Sequence, residues 1–221
     1  MENAIVKPYK GIGMEGFIAR WYATNTRKGI KDFQALARRV AGELATGSNV
    51  LEVAPGPGFF AIELAKLGSY RITGLDISKT FVEIARCNAQ EAQVEADFKQ
   101  GNASQMPFED ASFDFLLCRA AFKNFSQPQR AVSEMYRVLK AGGQVLVIDL
   151  RRDASRREIS QEVDGMALGW ASTILTKLTF RFMLLKRAYT QIEFERFFAQ
   201  PGFRSLAVQT NLIGLEVRAV K

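Results

Sequence analysis

The stretch Val50-Leu-Glu-Val-Ala-Pro-Gly-Pro-Gly-Phe59 decides how this chain is read. A short apolar run carries one acidic residue, Glu52. A loop holding Gly56 and Gly58 follows at once, and a helical pattern opens at Phe59. The order is strand, tight turn, helix. Glycine has no Cβ, so the backbone can take positive φ there and a ligand can come close to the main chain. A second apolar run, Tyr70 to Leu75, leads to Asp76, roughly twenty residues beyond the loop. An acidic residue at the tip of a second strand can accept from both ribose hydroxyls of an adenosine cofactor. The unit is therefore a candidate nucleoside-cofactor site. Gly56-x-Gly58-x-x-Ala61 equally fits the nicotinamide-dinucleotide fingerprint, and a turn that uses glycine for packing alone stays open.

Outward from this stretch, strands and helices alternate. Met14 to Val40 reads as helical, with a break near Thr24 to Gly29. Asn49 to Val53 is the first strand. Phe59 to Leu67 is a helix closed by Gly68 as its C-terminal cap. Arg71 to Leu75 is the second strand, and Ser78 is the N-cap of a helix to about Gln90. Val94 to Lys99 and Ser112 to Cys118 are the third and fourth strands, joined by a loop. Pro128 opens a helix that ends near Lys140 and is terminated by Gly142-Gly143. Gln144 to Leu150 is the fifth strand. Five alternations predict a parallel sheet covered on both faces, with ligands at the carboxyl ends of the strands. Glu52, Asp76, Asn102, Cys118 and Arg119 would cluster there.

The remainder differs. Ala154 to Lys186 reads as a helix with Trp170, Ile174, Leu178, Phe182 and Leu185 on one stripe. Thr190-Gln-Ile-Glu193 is a capping box that opens a helix to about Phe198. Ser205 to Gln209 and Leu215 to Val220 form an antiparallel pair around a turn at Asn211 to Gly214. No repeat or linker interrupts the chain, so residues 1–221 read as one domain. The run from Gly165 to Lys186 is long enough to span a membrane, but Lys177 and Arg181 lie inside it and hydroxyl residues punctuate it. An amphipathic lid or a core helix is the expectation, with contact at a membrane surface a lesser alternative.

Composition narrows the chemistry. The chain has 221 residues, of which 48% are hydrophobic, and two cysteines, Cys87 and Cys118, far apart in sequence. Neither a disulfide framework nor a zinc site is suggested, no leader-like apolar run opens the chain, and a reducing cytoplasm is expected. There is no histidine, which excludes a Ser-His-Asp triad, a histidine metal ligand and a histidine general base. No metal is expected. The net charge of +7 sits partly in scattered pairs such as Arg151-Arg152 and Lys186-Arg187. Without interleaved aromatics, these read as solvated surface rather than a nucleic-acid face.

The loop, taken with three later segments, resembles class I S-adenosylmethionine-dependent methyltransferases. Gly74-Leu-Asp-Ile-Ser78 resembles their second-strand acidic motif. Gly101-Asn-Ala-Ser-Gln-Met-Pro-Phe108 with Ala111-Ser-Phe-Asp114 resembles a third segment, and Arg137-Val-Leu-Lys-Ala-Gly-Gly143 resembles the turn before strand five. The nearest branch is the small-molecule one that includes ubiquinone and menaquinone biosynthesis enzymes. The resemblance covers about residues 45–150.

It implies a Rossmann-like, doubly wound α/β fold: a mostly parallel seven-stranded sheet with an antiparallel C-terminal pair. Residues 1–40 and 151–200 would be helical cap elements. S-adenosyl-L-methionine would be the cofactor and a small apolar or amphipathic molecule the substrate. Ala54, Gly56 and Gly58 would face the methionine part, and Glu52 would hold that loop or reach the amino group through water. Asp76 would take the ribose, Ile77 would pack on adenine, Asn102 would accept from the adenine amino group, and Ala103 would offer its N–H. Arg119 and Cys118 would lie beside the methyl donor. Ala54 and Asn102 depart from the residues most common in the family.

No catalytic residue is singled out. Glu162, Asp164, Tyr189 and Lys123 are candidate bases, each with a plain surface or packing alternative. Rival readings are a nicotinamide-dependent oxidoreductase, a nucleic-acid methyltransferase favoured only by the basic charge, and a non-catalytic cofactor-binding protein. The nucleic-acid reading lacks the Asn/Asp-Pro-Pro-aromatic and Pro-Cys motifs.

Overall fold

The computed structural model describes residues 9–11, 13–166, 170–180 and 184–221. Seven strands form one sheet: β1 (Asn49–Val53), β2 (Arg71–Asp76), β3 (Asp97–Gln100), β4 (Phe113–Arg119), β5 (Leu139–Leu150), β6 (Ser205–Asn211) and β7 (Gly214–Val220). Their order is β3-β2-β1-β4-β5-β7-β6. Strands β1 to β5 run parallel, while β7 is antiparallel to both β5 and β6. This is the expected doubly wound sheet. The order of strand addition reverses between β1 and β4, and such a switch point opens a crevice at the carboxyl edge.

The central strands are apolar on both sides because helices cover both sides. On one face, Leu51, Val53, Leu116 and Val147 pack with helices α5 (Pro128–Val138) and α9 (Gln191–Ala199). On the other, Val50, Leu117 and Leu146 pack with α2 (Ile30–Ala41), α3 (Phe59–Ala65) and α4 (Lys79–Glu91). Alternation along β1 therefore puts Glu52 on the α3 side. Residues 191–199, inside the expected cap region, pack on the sheet through Phe194, Phe197 and Phe198.

Helix α1 (Gly16–Thr26) and α2 are separated by a 3₁₀ turn at Arg27–Gly29, which is the predicted break. Ser78 accepts from the Phe81 N–H, and Thr190 with Glu193 forms the capping box.

Four expectations are corrected. Helix α3 ends at Ala65 with Lys66 still right-handed, so Gly68 is not its cap. Helix α5 ends at Val138, and Gly142-Gly143 form a bulge inside β5, which starts at Leu139. Strand β3 is shorter than predicted, starting only at Asp97. The stretch from Ala154 to Lys186 is not one helix. It is divided into α6 (Arg156–Gly165), α7 (Trp170–Thr179) and α8 (Leu185–Arg187). The expected stripe does not share one environment: Leu185 is buried, whereas Ile174 and Leu178 are exposed. Phe182 and the side chain of Trp170 lie outside the described residues. Among the described residues no helix is long and apolar enough to cross a membrane.

Candidate active site

The carboxyl edge of β3-β2-β1-β4 gathers the sequence-predicted residues. Register places Val53 beside Leu75 on one side and Cys118 on the other, and Asp76 beside Gln100. Glu52, Ala54, Gly56 and Gly58 therefore meet Asp76 and Ile77 from β2, Asn102 and Ala103 from the loop after β3, and Arg119 from β4.

The loop after β1 turns through positive φ three times, at Ala54 (57°), Gly56 (56°) and Gly58 (78°). The two glycines serve different needs. A Cβ on Gly58 would come within 2.9 Å of the Phe98 ring, so this glycine is there for packing. A Cβ on Gly56 would meet nothing within 4 Å, so this glycine borders open space. Ala120, just past the end of β4, is also held at positive φ (57°). Non-glycine residues in that region cost on the order of 1–3 kcal/mol and concentrate at functional sites. Ala54 and Ala120 stand at the ends of the two strands that flank the switch point, while Gln93, Ala111 and Leu212 adopt positive φ elsewhere.

The donors of this loop are engaged inside the protein. The Ala54 N–H donates to Leu75 O (2.8 Å), Gly56 N–H to Asp76 Oδ2 (3.0 Å) and Gly58 N–H to Pro55 O (3.1 Å). Pro55 and Pro57 have no N–H to offer. In the first turn of α3, Ala61 N–H donates to Glu52 Oε2 (3.1 Å). Two of the N–H groups with which a strand–loop–helix unit usually receives a phosphate are thus taken by protein carboxyl groups. Both are nearly out of solvent. Burial pushes the Glu52 carboxyl up to about 8, opposed by the Ala61 N–H and by the Arg119 charge. Burial also pushes Asp76 up to about 6, opposed by the N–H groups of Ser78 and Gly56. Asp76 Oδ1 accepts from Ser78 N–H (2.9 Å).

Other predicted residues carry partners that spacing alone does not reveal. Asn102 Oδ1 accepts from Ser104 N–H (2.9 Å), a local turn that uses one of its two lone-pair directions. Ala103 is half-buried and packs on the core, and Ile77 O accepts from Gln100 Nε2 (3.2 Å). Arg119 lays its guanidinium over the Phe33 ring, 4.3 Å from the centroid. Cys118 is buried and its thiol is pushed well above its usual range by burial, so it is no nucleophile. Tyr189 donates its hydroxyl to Phe125 O (2.7 Å), and burial pushes it up to about 12, which removes it as a base near neutrality. Asp164 pairs with Lys177 on the outer helices. Glu162 is half-buried on α6. Among the described residues no cluster of Cys, Asp and Glu could hold a metal ion.

Three features lay beyond the sequence reading. Lys123 sits in the turn after β4 and Asp149 near the end of β5. They form a buried ion pair, Nζ to Oδ1 at 3.0 Å, and Lys123 N–H also donates to Asp149 Oδ2 (2.8 Å). The Lys123 ammonium further donates to Ala120 O, fixing the strained turn. The second feature is Glu15, whose carboxylate accepts from Lys79 N–H, Thr80 N–H and the Thr80 hydroxyl at the start of α4. Ser78 also donates its hydroxyl to Met14 O (2.6 Å). The third is Lys10, whose N–H donates to Asn124 O (2.7 Å) and whose ammonium lies over the Tyr189 ring at 3.7 Å. Lys10 on one side and Met14 with Glu15 on the other are therefore tied to the carboxyl edge. The nearest signal for the Glu15 tie was the helix start at Ser78, which calls for an acceptor.

This geometry has relatives. The family model described as a methyltransferase domain matches residues 51–147. Those residues, 97 of the 221, are what the chain shares with that family. Among curated proteins, the demethylmenaquinone methyltransferase of Deinococcus radiodurans is 37% identical over 107 residues, covering 48% of this chain and 44% of that protein. The uncharacterized methyltransferase YcgJ of Bacillus subtilis is 42% identical over 101 residues, covering 45% and 40%. The chain spans less than half the length of these relatives. Among solved structures, a Methanococcus maripaludis protein crystallised as a candidate S-adenosyl-L-methionine-dependent methyltransferase superposes with a TM-score of 0.77. It covers 96% of this chain and 95% of its own at 20% identity, a likeness that shows the fold alone. Methyltransferase family and fold together imply S-adenosyl-L-methionine as cofactor. The site fits that group: it offers open space at Gly56 and two buried carboxyl groups beside the loop and helix start.

Proposed function

We propose that this chain transfers a methyl group from S-adenosyl-L-methionine to a small apolar or amphipathic molecule. One observation carries the choice of cofactor. Glu52 and Asp76 take the N–H groups of Ala61 and Gly56, two donors that a pyrophosphate would use, so the site favours a cation and disfavours a dinucleotide. The cofactor brings a methyl group already activated on a positively charged sulfur. What remains for the protein is to align, to exclude water and to hold charge.

The residues divide that work. Glu52 fixes the start of α3 and gives up its proton when a cation binds beside it, while Asp76 carries the standing negative charge beneath the loop. Asp76 braces Gly56 and Ser78 and keeps lone pairs for the ribose hydroxyls. Ile77 packs on the adenine, Asn102 accepts from its amino group with its second lone pair, and Ala103 offers its N–H. Gly56 admits the methionine part, and Ala54 shapes that turn. Arg119, pinned on Phe33, balances Glu52 at the donor end. The Lys123–Asp149 pair holds the turn after β4 beside the acceptor. The segments before α2 and between β5 and α9 cap the site. The demethylmenaquinone methyltransferase activity of the Deinococcus radiodurans relative favours a quinol-like ring as acceptor, and the free cysteines suit a cytoplasmic setting.

The test is methyl transfer itself. The purified chain, given methyl-labelled cofactor and a panel of hydroquinones, phenols and lipid extracts, is expected to label an organic-soluble product. Labelling confined to nucleic acid added in parallel would overturn the reading.

A further inference from the structure

The chain's surplus of positive charge and its exposed apolar side chains occupy the same two segments. Residues 16–31 carry Arg20, Arg27, Lys28 and Lys31 and no carboxylate. Residues 165–192 carry Lys177, Arg181, Lys186 and Arg187 and no carboxylate. The chain has 30 cations and 23 carboxylates, so removing these eight cations leaves 22 against 23. The two segments together carry +8 and the rest of the chain −1. Among the described residues twelve large hydrophobic side chains are exposed, and ten of them lie in the same segments.

Helix α1 is inverted relative to a water-facing helix. It buries Ala19 and Ala23 and turns Phe17 (81% exposed) and Trp21 (60%) outward. Helix α7 exposes Ile174, Leu175 (66%) and Leu178. Clustered exposure of this kind marks a contact surface. Two neighbouring carboxylates are engaged: Glu15 holds the start of α4, and Asp164 pairs with Lys177 at 2.8 Å; Asp32 is exposed at the margin of the first segment. The pair between Arg27 and Glu91 is long, at 3.9 Å, and solvent-screened. Both segments hang from the carboxyl edge of the sheet. Glu15 ties the start of α1 to the β2–α4 turn. Helices α6 to α8 leave from the end of β5 and return at Tyr189, which bridges Arg151.

We propose that α1 and α7, with Arg20, Lys28, Lys31, Lys186 and Arg187 beside them, form a docking surface for an anionic lipid bilayer. Aromatic and aliphatic side chains among lysines and arginines, with carboxylates only from outside the two segments (Asp164 on Lys177, Glu91 near Arg27), match the chemistry of a helix lying in a membrane interface. A second copy of the chain would set like charge against like charge across a two-fold interface. A nucleic acid has no use for Ile174, Leu175 and Leu178. Docking stands independently of methyl transfer. Combined with it, docking turns the site's open edge toward molecules dissolved in the bilayer.

The experiment is co-sedimentation of the full chain with vesicles of phosphatidylglycerol and phosphatidylcholine, against vesicles of phosphatidylcholine alone. Tryptophan emission is read in parallel, since both tryptophans, Trp21 and Trp170, lie in the two segments. Binding to the anionic vesicles is expected, with a blue shift and with weakening in high salt. A Trp21→Ser, Leu175→Ser variant and an Arg20→Glu, Lys28→Glu variant should each bind roughly tenfold more weakly or worse. All four sites are exposed, so the melting temperature should hold. The proposal is overturned by equal binding to both vesicle types or by no binding. It is also overturned if the serine variant binds like the parent, or if the serine variant abolishes a self-association seen by sedimentation velocity.

Discussion

Replacing Glu52 by Gln tests the electrostatic logic of the site most sharply. The wild-type carboxyl stands at about 8 in the folded protein against 4.5 for an ordinary glutamate. Because the folded value lies above the unfolded one, the folded state holds the extra proton between those limits. Its stabilising effect is complete below pH 4.5 and is lost as pH rises through 8. At about 1.4 kcal/mol per unit, the loss across this window is about 3–5 kcal/mol. Gln stays neutral and can still accept from Ala61 N–H, though its amide hydrogens lack partners, at a cost of about 1–2 kcal/mol. The variant should therefore be slightly less stable than wild type near pH 5 and more stable near pH 8.5, measured by urea unfolding across that range. Cofactor binding should move the opposite way. A cation beside Glu52 favours the ionised form, so wild-type affinity should rise with pH from about 6 to about 8 and binding should release protons. The variant should bind roughly 10- to 100-fold more weakly at high pH and lose most of the proton release. Parallel stability profiles for the two proteins, together with unchanged affinity, would refute the reasoning.

The other predictions concern single contacts. Gly58→Ala should cost about 2–4 kcal/mol in urea unfolding, because it adds a clash with Phe98 to a positive φ. Gly56→Ala should cost only about 1 kcal/mol but weaken cofactor binding more than it lowers stability, read by calorimetry on the same protein. Asp76→Ala should weaken cofactor binding by about 1–3 kcal/mol, and NAD should bind neither protein. Lys123→Met should destabilise by about 3–5 kcal/mol by stranding Asp149, and Lys123→Met with Asp149→Leu should recover much of that loss.

Much of the sheet was legible because local rules and tertiary packing agree there. Five apolar runs, a glycine turn and capping residues at Ser78 and Thr190 all point to the same alternation. The misses have physical causes. Helical periodicity reports that Ile174 and Leu178 share a face but not what the face meets, so an outward stripe reads like a core stripe. Glycine pairs stop helices and also form bulges, and at Gly142-Gly143 pairing with β4 and β7 decides for the bulge. In the site, motif positions predicted which residues meet but not how far they are already engaged. Asp76 and Asn102 each carry backbone partners, and Glu15, Lys123 and Asp149 reach the edge from segments with no motif of their own.

The account rests on a cation-favouring cofactor site at the end of β1, and calorimetric titration tests it directly. S-adenosylhomocysteine and S-adenosylmethionine should each bind once per chain, with proton release near pH 7 and weakened binding in Asp76→Ala. NAD binding, without binding of either sulfur cofactor, would contradict it.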